Sequence, residues 1–130
     1  MAEDSLKTSD VIPAAPEDLF DAWLDGEGHA AMTGADATGQ PVVGARFTAW
    51  GGYITGQNLE IDRPGRIVQA WRTSQFEDAP DSLLEILFAA TDGGTRVTFN
   101  HSNLPPEQVA DYLQGWEDHY FRPMRDYYNA

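Results

Sequence analysis

The sequence predicts an α+β fold, in which an antiparallel sheet of about six strands is covered by a long C-terminal helix. Apolar residues alternate in short runs through residues 45–102, whereas the segments on either side carry apolar residues at helical spacing. Short glycine-containing turns separate the runs, and strands joined in this way are antiparallel neighbours. One face of such a sheet must be covered, and the terminal helix is the candidate cover.

The N-terminal segment predicts a first strand followed by one or two short helices. The strand spans residues 5–12, and Pro16 suits the first turn of a helix because its missing N–H is not needed there. Gly26 and Gly28 are expected to end this helix. A short second helix is expected at residues 29–32.

The middle of the chain predicts three strands after a loop. Residues 33–43 are rich in Gly, Ala, Thr and Pro, which is typical of a connection without regular structure. Strands are expected near residues 45–50, 53–62 and 66–75. Gly56 is expected to introduce a bulge or bend into the second of them, because a glycine inside a strand often marks one.

Two further strands are expected to form a hairpin around Gly93. Ile86 and Phe88 share one side of the first strand, and Phe99 and His101 share one side of the second. The apolar sides face the covered layer, so His101 is expected on the apolar face of the sheet.

The last segment, residues 106–129, predicts the long helix. Its apolar residues recur at helical spacing. They are Val109, Tyr112, Leu113, Trp116, Tyr120, Met124 and Tyr127. Pro123 is expected to kink the helix near His119 or Tyr120, because proline removes a hydrogen bond from the turn before it. Gly115 is expected to let the helix backbone approach the sheet.

Composition excludes several classes of function. The 8 Lys and Arg residues against 21 Asp and Glu residues give a net charge of −13, which disfavours nucleic acid and anionic membranes as partners. The absence of cysteine excludes a disulfide scaffold and a thiolate nucleophile. No signal peptide and no apolar stretch of membrane-spanning length are present, so a cytoplasmic protein without a membrane segment is expected.

Four segments in order along the chain resemble a known superfamily. They are "IPAAPEDLFDAW" at 12–23, "GARFTAWGGYITGQNLEIDRPGRIVQAWR" at 44–72, "GGTRVTFNHSNLP" at 93–105 and "GWEDHYFRPMRDYY" at 115–128. Together they resemble the START-like (SRPBCC, helix-grip) superfamily, in the branch named after the C-terminal domain of the activator of heat-shock-protein-90 ATPase. The resemblance implies a single domain over residues 1–130, with a curved sheet gripping the C-terminal helix and a ligand cavity between them.

The predicted cavity lining combines the inward side of the sheet with the facing stripe of the helix. It comprises Phe47, Tyr53, Trp71, Ile86, Phe88, Phe99, His101, Trp116, His119, Tyr120 and Met124. This composition is typical of a site for a small hydrophobic or aromatic molecule. The alternative interpretation is a filled core made of the same residues.

Three functions remain open at this level: a ligand-binding protein without chemistry, an enzyme of the cyclase, aromatase or hydrolase type, and a co-chaperone-like interaction module. The enzyme would use His101 or His119 with Tyr53 or Tyr120, although no short motif identifies a catalytic residue. A chaperone partner is disfavoured, because the eukaryotic namesake has an extra N-terminal domain that these 130 residues do not include.

Other partners and cofactors receive little support from the sequence. Trp50 and Phe76 lie near predicted hairpin ends and could support a homodimer. No metal and no cofactor are expected, because His29 is far in sequence from the other two histidines and the spacing matches no zinc motif.

Overall fold

The computed structural model of the protein describes residues 4–129. Within this range the structure contains six strands and four α-helices. In chain order they are β1 (Leu6–Ile12), α1 (Pro16–Leu24), α2 (Gly26–Thr33), β2 (Arg46–Ala49), β3 (Ile54–Asp62), β4 (Arg66–Thr73), β5 (Ser82–Thr91), β6 (Gly94–Ser102), α3 (Val109–Trp116) and α4 (Arg122–Tyr128). A π-helical turn, Glu117–Phe121, joins α3 to α4 and makes the C-terminal helix continuous.

The strands form one curved antiparallel sheet in the order β1-β6-β5-β4-β3-β2. Four of the five pairings join strands that follow one another in sequence. The fifth pairs the first strand, β1, with the last strand, β6. The inward side of the sheet packs against α1 and the C-terminal helix. Ile67, Leu84, Ile86 and Phe99 are completely buried between these layers. The predicted α+β architecture, a curved sheet around a long C-terminal helix, is confirmed.

The two glycines after α1 do not end that helix as predicted. Helix α1 ends at Leu24, and the Asp25 side chain accepts a hydrogen bond from the Gly28 backbone N–H, which starts α2 at Gly26. A Cβ at Gly26 would lie 2.8 Å from the Thr38 backbone, and one at Gly28 would lie 2.9 Å from the Ala22 Cα. Both glycines therefore allow close packing inside α2.

The bulge in β3 occurs at Leu59 and not at Gly56. The pairing with β4 is regular through Asn58 and resumes at Glu60, which leaves one residue unpaired. A Cβ at Gly56 would lie 2.4 Å from a ring carbon of Phe47. Gly56 is required because a side chain there would meet both the Phe47 ring and the Ala70 carbonyl oxygen.

The irregularity predicted from Pro123 lies where it was expected, as the π-helical turn that contains His119 and Tyr120. Such a turn inserts one extra residue, so the apolar stripe changes phase after it. Phe121, which was not in the predicted stripe, is consequently buried beside Tyr120, Met124 is buried as predicted, and Tyr127 is 48% exposed. The prediction that Tyr127 continues the stripe toward the sheet is wrong for this reason.

A chain of buried polar side chains fixes the loop before β2. The Trp23 indole N–H donates to Gln69, whose amide donates to the Asn58 side-chain oxygen at 2.8 Å. The Asn58 amide then donates to the backbone carbonyls of Gln40 and Val42. Helix α1, the sheet and the loop are thereby held in one hydrogen-bonded network.

Candidate functional site

A cavity of about 380 Å³ lies between the C-terminal helix and the β3–β4 side of the sheet. We call it the aromatic cleft. It is lined by Trp50, Tyr53, Ile54, Trp71, Gln75, Asp111, Tyr112, Gly115, Trp116, His119 and Tyr120. Its volume is within the range of small-molecule sites, and six of its eleven lining residues are Trp or Tyr.

Three of these rings form a continuous wall. Trp71 projects from the inward side of β4, and its ring centroid is 5.5 Å from that of Trp116 at the end of α3. The Trp116 ring is in turn 5.1 Å from that of Tyr120 on the π-helical turn. Phe99 stacks on Trp116 with a centroid distance of 4.2 Å, and this packing holds the wall in place.

Trp50 forms part of the rim of the aromatic cleft, next to His119 and Tyr120. Its backbone has a φ of 53°, which is rare for a bulky residue, and Gly51 and Gly52 follow with φ values of 66° and 97°. The half-buried Trp50 ring meets the edge of the His119 ring at a centroid distance of 5.1 Å. Backbone strain of this kind is found preferentially at functional sites.

The π-helical turn brings His119 and Tyr120 to the same cavity, although they are adjacent in sequence. Tyr120 is held from behind by His29 of α2, whose Nε2 is 2.9 Å from the Tyr120 Oη. The Nδ1 of His29 faces the Trp23 carbonyl at 2.9 Å and must donate to it, because a carbonyl only accepts. Nε2 of the neutral ring therefore accepts the Tyr120 hydroxyl proton.

Burial stabilises the neutral forms of both partners in this pair. It lowers the pKa of His29, partly offset by its hydrogen bond to the Trp23 carbonyl, and it raises the pKa of Tyr120. The hydrogen bond crosses 91 residues of sequence and ties α2 to the C-terminal helix. His29 was not expected near the site, since nothing local to its segment indicates this contact.

His101 lies outside the aromatic cleft, in the core behind Trp71. Its ring centroid is 4.6 Å from that of Trp71, and only 1% of the residue is exposed. The Ser82 hydroxyl donates to the Trp71 carbonyl at 2.6 Å, so the 2.8 Å contact between Ser82 Oγ and His101 Nε2 requires Nε2 to carry its proton. Burial lowers the pKa of His101 to about 3, which keeps the ring neutral.

Three buried nitrogen atoms within residues 4–129 have no hydrogen-bond partner in the protein: Trp50 Nε1, Trp116 Nε1 and His101 Nδ1. Two of them belong to rings that line the aromatic cleft. Unpaired buried polar groups are uncommon in folded proteins. Both indole N–H groups are buried, so neither is open to the cavity.

Gly115 borders open space in the aromatic cleft and does not bring the helix against the sheet as expected. A Cβ at this position would meet no atom closer than a His119 ring carbon at 3.8 Å. A larger residue would therefore extend into the cavity. Gly115 is the natural position at which to fill the site.

Comparison with known proteins identifies the family. The sequence model described as "Activator of Hsp90 ATPase homolog 1-like protein" matches residues 13–129. The chain belongs to this family. An activator of 90 kDa heat shock protein ATPase homolog from Dictyostelium discoideum is 27% identical over 87% of this chain, and homolog 1 from Homo sapiens is 23% identical over 85%. The chain spans about a third of the length of these curated relatives, 30% and 33% respectively.

Solved structures agree with the family assignment at the level of the fold. An Hsp90 activator from Plasmodium falciparum has a TM-score of 0.77 at 23% identity, covering 92% of this chain and 91% of that one. The predicted family is thus confirmed by the family match, and the predicted helix-grip fold by this structural agreement.

Five of the residues predicted to line the cavity do so: Tyr53, Trp71, Trp116, His119 and Tyr120. The other six lie elsewhere. Ile86, Phe88, Phe99, His101 and Met124 are buried in the core, and Phe47 packs over Gly56. These six follow the filled-core interpretation, because none of them lines the aromatic cleft, which lies on the β3–β4 side of the sheet.

The homodimer hypothesis loses one of its two supporting residues. Phe76 is buried against Trp71 and Tyr112, with a relative exposure of 3%, and is not a surface residue.

Among residues 4–129 no group of three metal-ligating side chains occurs. Nor does that part of the chain contain a helix that is long and apolar enough to cross a membrane.

Proposed function

We propose that this member of the family binds a small aromatic or hydrophobic molecule in the aromatic cleft without catalysing a reaction. The observation that carries the proposal is a cavity of about 380 Å³ with six aromatic residues in its lining. Such a cavity offers a ligand dispersion contacts and apolar burial worth about 25 cal/mol per Å² of apolar area. Tyr53, Trp71, Trp116, His119 and Tyr120 are the proposed contacts.

Two variants of one helix test this proposal. Gly115→Leu should add a side chain into the cleft and also improve helix propensity, so weaker binding would not reflect loss of the fold. Ala110→Leu adds the same side chain at an exposed position of α3 that does not line the cleft. The probe is N-phenyl-1-naphthylamine, a neutral dye whose fluorescence increases in apolar surroundings.

The dye should bind the wild-type protein and Ala110→Leu saturably, and Gly115→Leu at least tenfold more weakly. Equal binding by all three proteins would show that the dye binds elsewhere. Absence of saturable binding to the wild-type protein would contradict the proposal directly.

Catalysis in the same cleft receives less support from the geometry. The Tyr120 hydroxyl proton is directed to His29. Burial lowers the pKa of His29 and raises the pKa of Tyr120, so neither group is suited to exchange protons at neutral pH. Ser82 and His101 do not form a nucleophile and base, because the serine proton is held by the Trp71 carbonyl. If His119→Ala abolished turnover of an identified substrate while leaving its binding intact, the enzyme hypothesis would replace the binding one.

A chaperone-binding role is the second candidate, and family membership favours it. The relatives from Dictyostelium discoideum and Homo sapiens are named as activators of the 90 kDa heat shock protein ATPase. This chain corresponds to only part of each, so we infer at most the ability to contact the chaperone. A pull-down with immobilised Hsp90 at physiological salt should retain the chain if this role holds, and a washed-out chain would count against it.

A further inference from the structure

We propose that the aromatic cleft selects organic cations, in particular a quaternary or protonated ammonium group attached to an apolar body. This inference rests on the proposed ligand-binding function and specifies the ligand class. It depends on two properties of the cleft: the kind of surface its rings present and the sign of the charges around it.

The first property is a concentration of indole and phenol rings around a cavity of small-molecule size. Trp50, Trp71 and Trp116 line it together with three tyrosines. Aromatic faces carry partial negative charge and attract a cation within about 6 Å of the ring centre, with tryptophan the most effective. The indole nitrogens of Trp50 and Trp116 are buried, so the carbon surfaces of these rings and not their N–H groups border the cavity.

The second property is a one-sided distribution of charge. Of the described residues that line the cleft, Asp111 carries the single carboxylate, and no Lys or Arg is among them. The surrounding helical segment, residues 106–121, contains Glu107, Asp111, Glu117 and Asp118 and no Lys or Arg, although Glu117 pairs with Arg125 and Asp118 with Arg122. The opposite wall, residues 47–59, contains no charged residue at all.

The arginines that follow the cleft residues in β4 and in the C-terminal helix are paired with carboxylates outside the cleft lining. Arg122 pairs with Asp118 on the helix surface, and Arg72 pairs with Asp81 while donating to the Ala79 carbonyl. Neither lines the cleft. With a net charge of −13 for the whole chain, the field at the cleft attracts cations and opposes anions.

Three compounds of similar shape and different charge test this inference: phenyltrimethylammonium, its neutral isostere tert-butylbenzene, and the anion 4-tert-butylbenzoate. Each is titrated at about pH 8, where histidine is ordinarily neutral, against the protein carrying N-phenyl-1-naphthylamine, and displacement of the dye is followed. The cation should bind about tenfold more tightly than the neutral compound, and the anion should bind most weakly.

Two charge-neutralising variants locate the effect. Asp111→Asn should weaken binding of phenyltrimethylammonium about threefold, a factor expected for one exposed charge, and leave tert-butylbenzene unchanged. Glu107→Gln removes the same charge from the same helical segment outside the cleft. It should weaken binding of phenyltrimethylammonium less than Asp111→Asn does and leave tert-butylbenzene unchanged.

The outcomes separate the two proposals. If the neutral or anionic compound displaces the dye as well as the cation does, cation selection is wrong while ligand binding stands. Equal weakening by Asp111→Asn and Glu107→Gln would overturn the role of Asp111 in the cleft. If neither the dye nor any of the three compounds binds, the proposed function itself fails.

Discussion

Lowering the pH from about 7.5 to about 5 should weaken the fold, because His101 is buried as the neutral ring. A proton added at Nδ1 would face no acceptor in the described structure, since that atom has no partner. The folded pKa of about 3 lies below the ordinary histidine value of 6.5. The unfolded chain therefore binds a proton in this window and the folded chain does not, so stability is complete above pH ~6.5 and declines as the pH falls toward 3.

The magnitude follows from the same two values. Each pH unit below ~6.5 costs about 1.4 kcal/mol per such histidine, so His101 removes about 2 kcal/mol of unfolding free energy by pH ~5. His29 acts in the same direction because burial also lowers its pKa. The pKa values of Asp21 and Glu85 are lowered from ordinary values of 3.8 and 4.5, and their contribution is lost only at more acidic pH.

Urea unfolding followed by tryptophan fluorescence measures this effect. His101→Phe keeps a buried ring of similar size and leaves the Ser82 hydroxyl paired with the Trp71 carbonyl. This variant should be about 2 kcal/mol less sensitive to the change in pH than the wild-type protein, whereas His119→Gln, at an exposed histidine, should match the wild type. If His101→Phe and the wild type lost equal stability between the two pH values, the assignment of His101 as a buried neutral ring would be refuted.

Three further substitutions test the packing and the hydrogen bonds, each by urea unfolding at neutral pH. Gly56→Ala should destabilise by about 1–3 kcal/mol, because its Cβ would lie 2.1 Å from the Ala70 carbonyl oxygen; an unchanged midpoint would contradict this contact. Gly115→Ala should stabilise by about 0.5–1 kcal/mol, since the position is helical and open, and a loss of stability would argue against open space there. Tyr120→Phe should cost about 1–3 kcal/mol by leaving His29 Nε2 unpaired, and a cost near zero would mean that the bond is not formed.

The structural roles of the glycines were predictable only in part, because the same residue can end a helix, bend a strand or allow close packing. Gly26 and Gly28 carry the usual signal for the end of a helix, yet both lie inside α2, where Thr38 and Ala22 approach too closely for a Cβ. Gly56 was correctly singled out, but its role depends on the Phe47 ring from the neighbouring strand. In each case the deciding contact comes from another part of the chain.

The sequence predicted which kinds of residue line the candidate site, but it predicted only some of the individual lining residues. Parity along the strands correctly assigns Ile86, Phe99 and His101 to the inward side, but parity cannot tell a filled layer from an open one. The residues that were missed, such as Trp50 and Tyr112, include the rim and one flank of the cleft. Trp50 lies in a turn, where no periodicity reports the direction of a side chain.

The sequence by itself determined the order of strands and helices and the antiparallel sheet, because periodicity and turn chemistry are properties of neighbouring residues. It indicated the family through the resemblance of four of its segments to known members. Only the tertiary structure decided where empty space remains. The π-helical turn moves Tyr127 out of the stripe, and the contact between His29 and Tyr120 joins residues 91 positions apart. The volume of a cavity depends on how closely side chains from distant segments pack together, so no local sequence pattern encodes it.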